Sequence, residues 1–409
     1  MFSAGFARVW LVAAVSAGLL AACEHEPLPG PAAEPDQSDK RLIGGFVAND
    51  ARLDAIGAMV MVPPSGPPQH LCGASVLTPE TVVTAKHCVE AIPQATRAGF
   101  RIGFAIGPNV ASPKQLIEVA SVENAPGDEG GFIAIGRDVS VLHLDRPVKG
   151  VTPIAIGQLT DEEVGRGFAA VGYGVQDNYR VLGTRRLGRQ TLKAREGLVY
   201  EWLFGSFERY LHYRRNGDVP AGDDVPPPEA LPPGYEAMVR AEWERAVLLP
   251  EYEVVTGGVP GDAQPCFGDS GSPLVRFEGG RFVGYGVVSG GLGTTRAVCD
   301  LGTVYATFGP EVATFLDGAV SWVDPCGDID VRGSCDGDVA RRCTNLNEGP
   351  RRLSTFDCGL LGMTCNQGPG GQVSCDGNPT APPRPTPPPG AAAEIQDLVA
   401  RSFASPAAP

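Results

Sequence analysis

Cys266-Phe267-Gly268-Asp269-Ser270-Gly271-Ser272-Pro273-Leu274 sets one serine between two glycines, behind an acid and a cysteine. So much glycine and proline rules out a helix interior. Gly268 and Gly271 let the backbone present two N–H groups beside a hydroxyl, as an oxyanion site requires. A serine hydroxyl is a poor nucleophile at neutral pH and needs a positioned base. Five histidines are present. His25 falls in a Pro-rich leading segment, His212 falls in a stretch of helical spacing, and His70 and His143 have no distinctive flanks. His87 alone sits beside a cysteine, in Thr84-Ala85-Lys86-His87-Cys88, and is the candidate base. Between base and nucleophile lies Asp138-Val139-Ser140-Val141-Leu142-His143-Leu144-Asp145, with acids at either end.

Taken in the order His, Asp, Ser, these three segments resemble the signatures of the chymotrypsin/trypsin-type serine peptidases, over roughly Leu42 to Trp322. The resemblance implies an all-β fold of two antiparallel barrels with the active site in the cleft between them. It implies hydrolysis of a protein or peptide substrate through an acyl-enzyme on Ser270, with His87 as the base. It selects Asp138 over Asp145 to hold the imidazole tautomer, and it assigns the oxyanion hole to the N–H groups of Gly268 and Ser270. Ser289 matches a family position that bonds the aspartate and supports the substrate backbone. Gln264 stands where trypsin-like members carry an aspartate, which disfavours strict cleavage after Arg or Lys. With Thr303 narrowing one wall and Gly291 leaving another open, small or medium apolar side chains are the expected preference. Three departures from the family pattern, Lys86, Ser140 and Ser272, remove no catalytic atom.

Lys40-Arg41-Leu42-Ile43-Gly44-Gly45 resembles the family's activation site, cleaved after a basic residue. The new Leu42 ammonium would pair with Asp269 and order the oxyanion loop, so the resemblance implies a zymogen and an activating protease. The alternative is a pseudo-peptidase that keeps the barrels as a binding or adhesion module.

The elements that must position these residues are short β segments bounded by Gly and Pro: Thr81–Ala85, Gly167–Tyr173, Arg281–Val288 and Thr303–Phe308. The chain's 54 Gly and 38 Pro favour many turns over long helices. One stretch, about residues 194–250, breaks the pattern. Glu196–Tyr213 and Tyr235–Leu249 carry apolar residues at helical spacing and read as a helical insertion on the second barrel. It is either a hairpin packed on the surface or a lid over the site.

Residues 1–23 read as an address. Val9 to Leu20 is an apolar run, and Leu20-Ala21-Ala22-Cys23 resembles the bacterial lipobox, which implies lipidation of Cys23 and a membrane partner in the cell envelope. Residues 24–41 form a Pro- and acid-rich linker, 42–322 the peptidase domain, 326–376 a cysteine-rich module and 377–409 a Pro-rich tail. Of eleven cysteines, Cys72 and Cys88 flank the His87 region, Cys266 and Cys299 flank the Ser270 region, and six follow Trp322. The first four are expected in disulfides, and the six allow 15 connectivities among which sequence does not choose. With Cys23 lipidated, none is left over. No CxxC pair or histidine accompanies the six, which speaks against zinc. The acidic pairs Asp128-Glu129 and Asp223-Asp224 read as solvated loops, so neither metal nor cofactor is expected. A net charge of −14 argues against nucleic acid, and the basic pairs Arg185-Arg186, Arg341-Arg342 and Arg351-Arg352 read as solvated surface. A monomer is expected.

Overall fold

The computed structural model describes residues 45–127, 137–175, 182–217, 219, 232–292, 299, 301–344, 346 and 351–376. Cys23, Arg41, Leu42 and both acidic pairs lie outside them. Two six-stranded antiparallel barrels form the body. Strands β1 (Ile56–Val62), β2 (Gln69–Thr78), β3 (Thr81–Thr84), β4 (Arg101–Ile106), β5 (Gln115–Asn124) and β6 (Ser140–Leu144) close the first in the order β1-β2-β3-β6-β5-β4. The second holds β7 (Gly167–Gly172), β8 (Arg186–Ala194), β9 (Glu253–Thr256), β10 (Pro273–Glu278), β11 (Arg281–Leu292) and β12 (Gly302–Thr307). Its order is β8-β9-β12-β11-β10-β7, with β7 paired back to β8. Closure leaves neither barrel with a free edge.

β-branched and aromatic residues fill both interiors, where they pack well on a pleated surface. Val82, Val83, Phe104, Ile117, Val141 and Leu142 are buried in the first barrel, and Leu192, Val254, Leu274 and Tyr305 in the second. The first core continues into Val287, Ala306 and Phe308 of the second barrel and into Val312 and Leu316 of the helix Pro310–Val320. Each such side chain contributes roughly 1.5–3 kcal/mol on burial, so the two barrels are held at one apolar seam.

A polar clamp reinforces it. Arg185 is fully buried and donates to the carbonyls of Ala48, Leu53 and Asp50 and to Asp54 Oδ1. This corrects the expectation that Arg185-Arg186 is solvated: the guanidinium fork pins the first described segment onto the second barrel, with a carboxylate to balance its charge. Tyr173 bridges the same seam, its hydroxyl placed to give its one proton to Gly107 O at 2.7 Å, with Ile56 O also near at 3.0 Å.

The insertion between β8 and β9 is helical: α1 (Val199–Phe204), α2 (Phe207–Asn216) and α3 (Tyr235–Arg245). The periodic stretch Glu196–Tyr213 is two helices because Gly205 adopts φ +84°, which ends α1, and Ser206 then caps α2 by accepting from Arg209 N. Their inner faces form an aromatic core, with Tyr200 stacked on Tyr210 at 4.1 Å and both close to Trp243.

Beyond Trp322 a small module carries three disulfides: Cys326–Cys343, Cys335–Cys365 and Cys358–Cys375. Ala340, Phe356 and Cys358 are its buried core, too little apolar surface to hold it without cross-links. It is seated on the first barrel. Trp322 stacks on buried His143 at 4.1 Å, Leu346 packs against the first core, and Arg351 grips Asp324 through two bonds of 2.8 and 2.7 Å.

Candidate active site

Strand register brings base and acid together. In the antiparallel pair β3–β6, Thr84 faces Ser140, so the residues just after Thr84 and just before Ser140 leave the barrel at the same end. His87 sits in the one-turn helix Lys86–Val89, tied to β2 by the Cys72–Cys88 disulfide. Asp138 is fully buried beneath it. Its Oδ1 accepts the His87 backbone N–H at 2.9 Å, and its Oδ2 accepts Nδ1–H at 2.7 Å. A third bond arrives from the other barrel, where Ser289 on β11 donates its hydroxyl to Oδ2 at 2.7 Å. This leaves Nε2 of His87 as the atom able to take a proton. Burial pulls the His87 pKa down, but the Asp138 charge and hydrogen bond, with Glu90 adding, lift it above the usual imidazole value.

Ser270 is clamped between the barrels. Its carbonyl accepts Gly73 N–H at 2.7 Å from β2, next to Cys72, while Gly271 N–H donates to Val288 O at 2.9 Å, next to Ser289. Gly271 has φ +77°, and a Cβ there would lie 3.0 Å from Ala85 N, which identifies why a side chain is excluded where the loop passes the His87 segment. Ser270, Ser289, Gly290 and Gly291 line one recess together with Phe267 and Gly268. Gly268 adopts φ +89°, and neither its N–H nor that of Ser270 makes a hydrogen bond among the described residues. Two uncommitted donors beside a hydroxyl are what a developing oxyanion needs.

Asp269 points the other way, into the second barrel. It is buried, and its carboxylate accepts N–H bonds from Gly174 at 2.7 Å and Cys266 at 3.0 Å, and from Tyr173. Burial nevertheless raises its pKa to about 6, because no cation reaches it among the described residues.

Gln264 and Thr303 are buried behind the recess that Ser289 and Gly291 line. Thr303 pairs with Gly291 across β11–β12, and its hydroxyl accepts from Gln190 Nε2 at 3.4 Å. The Gln264 amide lies against Gly257, and its Oε1 has no partner among the described residues. Cys266 and Cys299 form the second disulfide of the double barrel, at the recess wall.

The structure adds one residue that sequence reading set aside. His70 Nε2 lies 2.6 Å from Gly268 O and, as its N–H donor, fixes the peptide that precedes Asp269. Burial depresses its pKa to about 4, so it is neutral at ordinary pH. Its partner lies 198 residues away, and no local pattern marks it.

Residues 43–194 match the family model described as Trypsin. The match stops at Ala194, where the helical insertion begins, although the second barrel closes beyond it. A curated relative, a "Trypsin-like protease" from Streptomyces glaucescens, is 24% identical over 312 residues, covering 76% of this chain and 93% of its own length. The matched residues span the first barrel and the start of the second, and the double barrel is the chymotrypsin-type fold.

Proposed function

We propose that this chain, which folds as a chymotrypsin-type double barrel and matches the Trypsin model over residues 43–194, is a serine endopeptidase working through a His87, Asp138, Ser270 triad. The observation that carries the reading is the Asp138 carboxylate, which gathers bonds from His87 N, His87 Nδ1 and Ser289, the last of which lines the recess with Ser270. Ser270 Oγ attacks the scissile carbonyl while His87 Nε2 takes its proton. Asp138 holds the Nδ1–H bond and stabilises the imidazolium, and the N–H groups of Gly268 and Ser270 receive the oxyanion. His87 then returns the proton to the leaving amine, and water releases the acyl group by the reverse sequence. Substrate residues before the scissile bond lie along Ser289–Gly291. Gln264 supplies no carboxylate for a basic side chain, which supports a preference for small or medium apolar residues.

The same reading makes the chain a zymogen cleaved after Arg41. Among the described residues the buried Asp269 carboxylate meets N–H donors and no cation, and a new Leu42 ammonium would provide one. The route is short. Phe46–Val47 pairs with Arg186–Leu187 of β8, and Arg186 in turn faces Gly172, two residues from the Gly174 that bonds Asp269. Leu42 precedes Gly45 by three residues, about 10 Å of extended chain.

Ten of the eleven cysteines are joined in five disulfides, which leaves Cys23 without an intrachain partner and supports its reading as the lipid-bearing residue. Five disulfides also fit an oxidising, exported setting. No helix among the described residues is long and apolar enough to cross a membrane. Since all five lie beyond Leu42, cutting at Arg41 would free the enzyme from its anchor.

A fluorophosphonate serine probe tests the reading. It should label protein processed at Arg41 and leave Ser270→Ala unlabelled; processed wild type that takes no label would overturn the peptidase assignment.

A further inference from the structure

The helical insertion packs against β12, the strand paired with the recess wall, and Leu203 is its side chain nearest Gly302. Leu203 of α1 is buried, and a Cβ built on Gly302 would lie 2.7 Å from its Cδ2. Gly302 opens β12 at φ +139°, a conformation that favours glycine. The next residue, Thr303, pairs with Gly291, which lines the Ser270 recess. Leu203 therefore presses on the strand that backs the recess wall.

That wall carries no side chain at Gly290 or Gly291, and its backbone is paired to β12, Gly290 with Val304 and Gly291 with Thr303. A Cβ at Gly290 would meet nothing within 4 Å, and one at Gly291 would meet only backbone carbonyls, at 3.4 and 3.9 Å. Its neighbours must set the width. Beyond β12 in the sheet lies β9, and on one face of these two strands the neighbours belong to the insertion: Leu203, Tyr200, Phe204 and Trp243 share one core with Val255 of β9 and Val304 of β12. The insertion is also braced internally. Its base is a two-strand ribbon, Gly197–Leu198 against Val247–Leu248, and Arg214 pairs with Glu242 at 3.0 Å.

We infer that the insertion is a specificity element, with Leu203 a positioning residue that holds β12 against β11 and so limits the side chain accepted before the scissile bond. This deepens the peptidase reading and rests on it. Interiors are close-packed, so a shortened Leu203 leaves space into which the wall can recede, and bulkier substrates gain.

The test compares processed wild type with Leu203→Ala on two peptides that differ only before the scissile bond, one carrying Phe and one Ala. The kcat/KM ratio of Phe to Ala is expected to rise about tenfold, a modest change in one hydrophobic contact. A ratio taken on one preparation is independent of the fraction folded. Leu203→Met should keep the ratio within about twofold of wild type, as a volume-conserving swap. Leu203→Val, a smaller deletion, serves if the alanine variant does not fold. Val239→Ala on α3 is the control: it lies in the same core but is not among the atoms nearest Gly302, so it should lower stability and leave the ratio alone.

Fluorophosphonate labelling of Ser270 separates the two levels of failure. Labelled Leu203 variants with an unmoved ratio, or a ratio moved equally by Val239→Ala, overturn the role of the insertion and leave the peptidase reading intact. Wild type that takes no label overturns both.

Discussion

In the uncleaved chain Asp269 should be a liability whose size depends on pH, and substituting it should show this. Its buried carboxyl has a pKa near 6, against 3.8 ordinarily, and that difference corresponds to about 3 kcal/mol. Because the folded value is raised, the folded chain holds this proton where the unfolded chain has lost it. Stability from this group is full below the unfolded value and falls as pH climbs to about 6. Roughly 2 kcal/mol of the loss falls between pH 4 and pH 7.

The perturbation is Asp269→Asn in a chain made uncleavable by Arg41→Gln and inert by Ser270→Ala. Urea unfolding at both pH values gives the stability difference between Asp and Asn. An amide at 269 turns one N–H toward the donors Gly174 and Cys266, but that cost is the same at both pH values and cancels. The difference should move by about 2 kcal/mol in favour of Asn as pH rises. After cleavage the sign reverses. A paired Asp269 would have a lowered pKa, and removing it would cost about 3–5 kcal/mol at neutral pH by stranding the ammonium. A pH-independent difference in the uncleaved chain, or the same sign before and after cleavage, would refute the activation argument.

Two further outcomes follow from the site. Asp138→Asn should cut kcat about 10⁴-fold by favouring the wrong tautomer. The acid limb of kcat/KM, which needs neutral His87, lies above the usual imidazole value in the wild type and should move to lower pH in this variant, because burial still acts and the balancing charge has gone; a limb that stays in place counts against the pairing. His70→Leu should release Gly268 O and slow both turnover and fluorophosphonate labelling by 10²–10³-fold, roughly the loss of one oxyanion donor. If labelling keeps its wild-type rate, His70 does not hold that loop.

Much of the site is legible in the sequence because its chemistry depends on local backbone. Gly268 and Gly271 both adopt positive φ, and a side chain at either would crowd Gly174 or Ala85 as the loop passes them. The strands are legible because short β-branched runs such as Val82-Val83, both buried, suit a strand packed on its two faces. Arg185 shows where this fails. An arginine pair reads as surface on charge alone, and only the convergence of Ala48, Asp50, Leu53 and Asp54 on one guanidinium makes burial tolerable.

By itself the sequence determined the nucleophile loop, the candidate base and acid, the all-β class, the presence of helices between β8 and β9, and a cysteine count that leaves Cys23 over. Each of these is carried by residue type, short spacing or arithmetic. Tertiary structure alone chose one connectivity of the 15 open to the last six cysteines, put neutral His70 under Gly268 and set Leu203 behind Gly302. Most of these are contacts between residues far apart in the chain, made when barrel closure and strand register bring them together, and no periodicity along the sequence records them.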